Sequence, residues 1–370
     1  MKTIYLDHAA TTPLTDKVKS CVINLLDNFY NPSSAYQSGV DAKRIMEQSR
    51  HNVAKFINAN DEDIIFTSGG SASNTLAIRG YTEKHDCIVY YSPLLHKSAL
   101  SYLDSGHTCN RELPVDKDGF IDVRFLEKEM NLKKSKPFVV IEYASSELGT
   151  IQPVKEIIDI VHKWNGIVYL DCTGSISTIP IDVKALDISM IGFAGHKIGA
   201  LKGCGILYKK PEIKLEPLIY GAQEHGLFAG TENMIGIAAM GKAVENYDYS
   251  SISSESRDYV HDYLIHNVPD CYLVGAPFNN RLPHNLYMCF QGVSGEALMT
   301  LLDMNGIQVS TGSACNAGNA KPSSALLAIK MNEDDIHSCI RLTFSGFETK
   351  DELSYICETI KNCVYQLRMM

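Results

Sequence analysis

The chain holds 11 cysteines but no C-x-x-C pair. That absence argues against a zinc ribbon or a dithiol redox centre, since both need paired ligands at short spacing, and no metal site is expected. Basic residues are in deficit, with 34 Lys and Arg against 43 Asp and Glu and a formal net charge of −9. Gripping a phosphate backbone needs a basic face, so direct nucleic-acid binding is not expected either. No apolar run is long enough to span a bilayer. The opening MKTIYLDHAATTP lacks a basic stretch leading into an apolar one. The expectation is a cytoplasmic protein with reduced thiols. Each thiol is by default a small buried apolar side chain.

What is present is ample material for a core. Of 370 residues 45% are hydrophobic and 21% charged, the balance of a globular chain. At roughly 100–200 residues per domain, this length suggests two domains, or a large one with a smaller appendage. From Thr15, a plausible N-cap, apolar Val18, Cys21, Val22, Leu25, Leu26 and Phe29 recur at helical spacing. A second helix is predicted over 38–57, with Val40, Ile45, Met46, Val53, Phe56 and Ile57 on its apolar side. Short β-rich runs come next: DIIFTS at 63–68, CIVYYS at 87–92, FVVIEY at 138–143, GIVYLD at 166–171 and ISMIGF at 188–193. Most are separated by helical segments, the pattern of a mostly parallel α/β sheet. After about residue 260 the pattern changes to strands at 284–290 and 340–345, with helices near 295–305 and 349–367. That describes a smaller α+β region, which the first dozen residues are expected to join. The division expected is 15–260 for a large domain, and 1–14 with 261–370 for a small one.

Suspicious polar residues fall where the strands end, and ligands of open α/β sheets bind outside the carboxyl ends of strands. Gly69, Gly70 and Ser71 follow a strand and precede a helix, so they form either an ordinary glycine-rich turn or an anion cradle at a helix N-terminus. Asp171 ends an apolar strand; it either caps a following helix or pairs with a protonated ring nitrogen. Lys197 stands in GFAGHKIGALKGCG (192–205), among residues with almost no side chain. A lysine that lies against a flat bound molecule needs such room; a solvated one does not. His96 is either a structural helix-start histidine or a proton carrier. Arg341, inside an apolar strand, needs an anionic partner, internal or bound. Cys315 sits in VSTGSACNAG (309–318), a small-residue tract that leaves its sulfur reachable.

In order, YLDHAATTP (5–13), NPSS (31–34), FTSGGSASN (66–74), His96, ELGTIQP (147–153), Asp171, GHK (195–197), AGTEN (229–233), GEAL (295–298), VSTGSAC (309–315) and Arg341 resemble the cysteine desulfurases. These are the NifS/IscS-like branch of the class V aminotransferases, fold-type I enzymes dependent on pyridoxal 5′-phosphate (PLP). The resemblance covers nearly the whole chain. It implies that Lys197 holds PLP covalently and that Asp171 pairs with its pyridine nitrogen. Gly70, Ser71 and His196, with Thr231 from a second subunit, would bind the phosphate. His96 would stack on the ring and assist proton transfer, Ser146 would stand near the PLP hydroxyl, and Arg341 and Asn31 would bind substrate. L-cysteine would become L-alanine, leaving a persulfide on Cys315 for an acceptor protein in iron–sulfur cluster assembly or a thiolation pathway. A homodimer is implied by Thr231.

The chain departs from the family pattern at four places. Ser146 replaces an asparagine and Gly174 a glutamine, both facing the PLP hydroxyl in the family; Ala194 replaces a phosphate-binding Ser or Thr, and Phe228 a common arginine. These departures keep open a β-lyase, selenocysteine lyase or aminotransferase, or a weakly active scaffold paralogue.

Overall fold

The computed structural model describes residues 3–132, 136–311 and 322–369. Its strands, in chain order, are β1 (Ile4–Tyr5), β2 (Ile64–Thr67), β3 (Ile88–Tyr91), β4 (Asn110–Glu112), β5 (Pro137–Glu142), β6 (Ile167–Asp171), β7 (Met190–Ala194), β8 (Gly205–Lys209), β9 (Cys271–Leu273), β10 (Asn285–Phe290), β11 (Ile307–Gln308) and β12 (Cys339–Thr343). Seven form one sheet in the order β2-β8-β7-β6-β5-β3-β4. β8 is antiparallel to both neighbours, and the other neighbouring pairs are parallel. The architecture is α/β, as the alternation of apolar runs and helical segments predicts.

β5 shows why its sequence is apolar without interruption. All six of its residues are buried. Val139 and Ile141 enter one hydrophobic cluster while Phe138 and Val140 enter another. Successive side chains of a strand point to opposite faces, so covering both faces removes the polar alternation. The same parity places Glu142 and Asp171 on the face that holds Phe138, Val140 and Tyr169, together with Leu76 and Ala77.

The first four helices divide between the two faces: α1 (Asp16–Leu25) and α2 (Gln37–Phe56) join the cluster of Val139 and Ile141, and α3 (Gly70–Lys84) and α4 (Lys97–Leu103) join that of Phe138 and Val140. Thr15 caps α1, its hydroxyl accepting from the Val18 N–H. The apolar periodicity there overstates burial: Val18 is buried, but Leu26 and Phe29 lie beyond the helix end at 62% and 83% exposure. Helical spacing identifies a face without showing what covers it. On α2 the buried side is Gly39, Ala42, Met46, Ser49, Arg50, Val53 and Ala54, while Val40 is exposed. Arg50 is held there by a buried ion pair with Glu224, at 2.7 Å.

Apart from the large sheet, β12-β10-β9 form a smaller antiparallel sheet. It shares a separate hydrophobic cluster with Ile4, Leu6 and residues from 260–364. β1 pairs in parallel with β11, Ile4 opposite Ile307. Among the described residues, no helix is long and apolar enough to cross a membrane.

Candidate active site

Register brings the site together. In the parallel part of the sheet Glu142 lies opposite Asp171, and Asp171 opposite Gly192. Strand ends therefore finish side by side, and the loops leaving them share the rim of one cleft of about 490 Å³. Gly70, Ser71, His96, Ser146, Asp171, His196, Lys197 and Arg341 all line it. These eight come from six separate stretches of the sequence; Ser146 and His196 are expected there from the family resemblance alone, the other six also from their local context.

Lys197 ends the 3₁₀ turn Gly195–Lys197, directly after β7. Its ammonium donates to the carbonyls of Ala9 and Ala10, the latter at 3.0 Å. Burial and then the Arg341 charge push its pKa down to about 8, against opposing pulls from Asp171 and Asp7. The small neighbours have a structural reason. The N-terminal segment straps across this turn: the Thr12 N–H and hydroxyl reach the His196 carbonyl at 2.9 and 3.0 Å, and the Gly199 N–H reaches the Thr12 hydroxyl at 2.8 Å. Gly199 has φ +78°, and a Cβ there would meet the Thr15 methyl at 2.9 Å, so a side chain would push this strap away. His196 is neutral, its pKa lowered to about 4 by burial and the adjacent Lys197 charge, and its Nδ1 lies 3.2 Å from the Thr11 hydroxyl.

Asp171 is buried at the tip of β6 and caps no helix. One carboxylate oxygen accepts from the Thr173 N–H and the other from Asn74 Nδ2, both at 2.9 Å. The Tyr169 hydroxyl, 2.5 Å from Asn74 Oδ1, fixes which end of the amide faces the acid. Asn74 belongs to the FTSGGSASN tract, yet its local context marks it for no role; that role appears only when α3 packs over β6.

The N-terminus of α3 opens into the cleft through Gly70 and Ser71 and has no side-chain cap. Its first-turn N–H groups and helix dipole suit an anion. Gly70 permits close approach, since a Cβ there would come within 3.0 Å of the Thr173 hydroxyl and 3.6 Å of Ala194 Cβ. The Thr173 hydroxyl is itself buried without a hydrogen-bond partner, and Thr173 lines the cleft.

His96 fulfils the helix-start reading. It caps α4, its Nδ1 accepting from the Ser98 N–H at 3.1 Å, and it also lines the cleft. With Nδ1 accepting, the proton of the neutral ring resides on Nε2. Arg341 has an internal partner: Nη2 pairs with Asp7 at 2.7 Å and Nη1 donates to the Ser146 carbonyl at 3.0 Å. Its buried Nε has none. Asp7, 334 positions away, gives no sign of this role in the sequence beyond its place in YLDHAATTP.

Other anticipated residues stand elsewhere. Asn31 is exposed and caps its own turn, accepting from the Ser33 N–H at 2.8 Å. Thr231 is exposed and borders a separate pocket with Phe66, Thr67 and Phe228. Cys315 lies outside the described residues; the other ten cysteines are free thiols. Ser146, Gly174 and Ala194 all face the cleft. At Gly174 a Cβ would lie 3.0 Å from Ser146 Cβ and 3.1 Å from the Ala144 carbonyl, so the loop is closed where a longer side chain would begin.

Comparison with known proteins places this cleft in a family. The cysteine desulfurase IscS of Dictyoglomus turgidum is 35% identical, over 99% of this chain and 95% of that protein. IscS 1 of Archaeoglobus fulgidus is 33% identical, over 99% and 98%. A solved NifS-like protein superposes with a TM-score of 0.90 at 29% identity, covering 99% of this chain and 100% of its own. The structure titled "SspA in complex with cysteine" matches with a TM-score of 0.82 at 28% identity, over 94% and 100%. With the aminotransferase class-V model matching from residue 4 to residue 356, the chain belongs to the aminotransferase class-V family.

Proposed function

We infer that this chain is a PLP-dependent cysteine desulfurase, converting L-cysteine to L-alanine and passing the sulfur through Cys315 to an acceptor protein. One observation carries the reading: a buried amine of lowered pKa, a buried carboxylate and an uncapped helix N-terminus share one cleft, in a chain whose full-length relatives are named cysteine desulfurases. The other PLP reactions and the inactive scaffold are not favoured by those relatives.

The cleft fits PLP on its own chemistry. An orphaned Thr173 hydroxyl and the α3 terminus suit the phosphate, Asp171 suits a ring N–H, and Lys197 suits an aldehyde. When bound, PLP supplies that aldehyde and a ring that draws electrons from the substrate's Cα. Lys197 supplies the amine: at a pKa of about 8, roughly a tenth of it is neutral at pH 7, far more than for an ordinary lysine. When free, the same amine would be the base for the substrate's Cα proton. Asp171, with one donor on each oxygen, would face the ring nitrogen and favour a proton there. His196, neutral, joins Ser71 and Gly70 at the phosphate without adding charge. Arg341 receives the substrate carboxylate, with Nε as its unused donor.

The Cys315 thiolate then attacks the substrate sulfur. A sulfur–sulfur bond forms, the carbon–sulfur bond breaks, and the electron pair left on the carbon skeleton is protonated to give alanine. Thr231 reaching the phosphate of a second copy accounts for its distance from this cleft and makes the enzyme a homodimer. The large domain, 15–260, carries the PLP-binding residues. The small domain, 1–14 with 261–370, carries Arg341 and Cys315.

The decisive measurement is the amino-acid product formed from L-cysteine by the PLP-loaded chain. Alanine with a persulfide that disappears in Cys315→Ala is expected; pyruvate or another keto acid would overturn the reading.

A further inference from the structure

The mechanism leaves one deeply buried acid of the cleft without a task. Glu142 ends β5, lines the cleft, and stands in register with Asp171 on the same face of the sheet. The two carboxyls are wired differently. Asp171 receives one donor on each oxygen. Glu142 receives both of its side-chain donors on Oε1, from the Ser92 hydroxyl and Gln152 Nε2, each at 3.2 Å. Its Oε2 is buried without any partner.

The Gln152 donor cannot be reassigned. Gln152 is fixed end for end, because its Oε1 accepts from the Ile121 N–H at 3.0 Å and its Nε2 donates to the Gly119 carbonyl at 2.8 Å. Ser92 Oγ accepts from the Leu94 N–H at 3.1 Å and donates to Glu142 Oε1. A carboxylate in a low-dielectric site needs donors on both oxygens. A carboxylic acid needs the arrangement found here: acceptance at one oxygen and a proton on the other.

We propose that Glu142 is a positioning acid for the cofactor ring, kept protonated so that Asp171 is the floor's anion, with its Oε2 proton offered to the molecule bound in the cleft. This rests on the PLP reading of the cleft. Burial and the neighbouring Asp171 charge push its pKa up to about 7, against the pull of its own backbone N–H and of the Ser92 and Gln152 hydrogen bonds. The charged and titratable groups lining the same cleft are Asp171 from β6, His96 from the α4 cap, His196 and Lys197 after β7, and Arg341 from β12; Asn74 of α3 is engaged with Asp171. Two like charges on adjacent strand ends repel, so a single proton shared out in this way meters the negative charge under the ring. As pH rises through the pKa of Glu142, a second anion appears there and alters the cofactor's electronics.

The test compares wild type with Glu142→Gln, an isostere locked in the neutral form, and with Glu142→Asp. Infrared pH-difference spectra of the PLP-free chain should show a protonated-carboxyl band that bleaches near pH 7 and is missing from Glu142→Gln. Loading PLP should move that midpoint upward, and the cofactor's absorbance should titrate with the same midpoint in wild type and Glu142→Asp but not in Glu142→Gln. A band that survives in Glu142→Gln, or is missing from wild type at pH 6, overturns the proposal. An absorbance titration identical in wild type and Glu142→Gln overturns the link to the ring. A chain that shows the band and takes up no PLP keeps the acid's protonation and refutes the cofactor reading instead. If Glu142→Gln does not fold, Glu142→Asp carries the infrared test, since a band from residue 142 must shift in it and a band from the other buried acid of raised pKa, Glu147, must not.

Discussion

The two walls of the cleft are built in different ways. The floor comes from adjacent strand ends of a single sheet, where Glu142, Asp171 and Gly192 are fixed by backbone register. The opposite wall is assembled from remote segments: Ala9 and Ala10 hold Lys197, and Asp7 holds Arg341 across 334 residues. Ladder hydrogen bonds over-determine the floor, so a lost side chain there removes a charge and leaves its neighbours in place. The wall depends on side-chain contacts, so a lost side chain there releases a segment.

The largest effect is expected where the walls meet. Lys197→Ala should lose covalent PLP and lower turnover by on the order of 10⁴-fold. Borohydride reduction and peptide mapping of the wild-type holoprotein should place the label on residue 197 alone, and a label elsewhere would break the site. Next comes the floor: Asp171→Asn should cost about 10²–10³-fold in kcat while the chain still binds PLP, since an electrostatic contact is lost without loss of register. An unchanged kcat would remove Asp171 from the ring. On the far wall, Arg341→Gln should act mainly on KM for L-cysteine, by about 10–100-fold, and Asp7→Asn less. A pure kcat effect of Arg341→Gln would show that the arginine only braces the wall.

The smallest effect concerns pH. The folded pKa of Glu142, about 7, lies above its unfolded value of 4.5, so the native state keeps a proton that the unfolded chain has lost. The Glu142 contribution to wild-type stability should therefore fall from pH 4.5 to about 7, then stay level. Glu142→Gln is spared this loss, so its advantage should grow over that window towards about 3 kcal/mol. Urea unfolding of the PLP-free proteins at about pH 5 and pH 8 measures it. Equal differences at both pH values would show that Glu142 is ionised throughout.

The parts of the fold that local chemistry dictates are legible in the sequence. Runs such as FVVIEY and GIVYLD become β5 and β6 because both faces are covered. Thr15 caps α1, and Lys197 falls just beyond a strand as its glycine-rich surroundings suggest. β1, β4, β9 and β11, of two or three residues each, escape a sequence reading because they are too short to carry a period. β8 escapes it for another reason: its run comes after a glycine-rich loop and enters the sheet in reverse, a matter of long-range pairing. The roles of Asp7, Asn74, Glu142 and Thr173 are invisible locally, because a distant hydrogen-bond partner, or a missing one, leaves no trace in a local pattern.

By itself, the sequence determined the strand-and-helix order and the apolar cores and pointed to the amine, acid, imidazole and thiol proposed for the site, because these depend on periodicity and residue chemistry. Only the tertiary structure decided which groups share a charge environment: that Lys197 loses affinity for its proton, that Arg341 is already engaged by Asp7, and that Glu142 and Asp171 stand abreast with donors on both oxygens of only one of them. Charge states are set by burial and by distance through space, and chain order specifies neither until the sheet has closed.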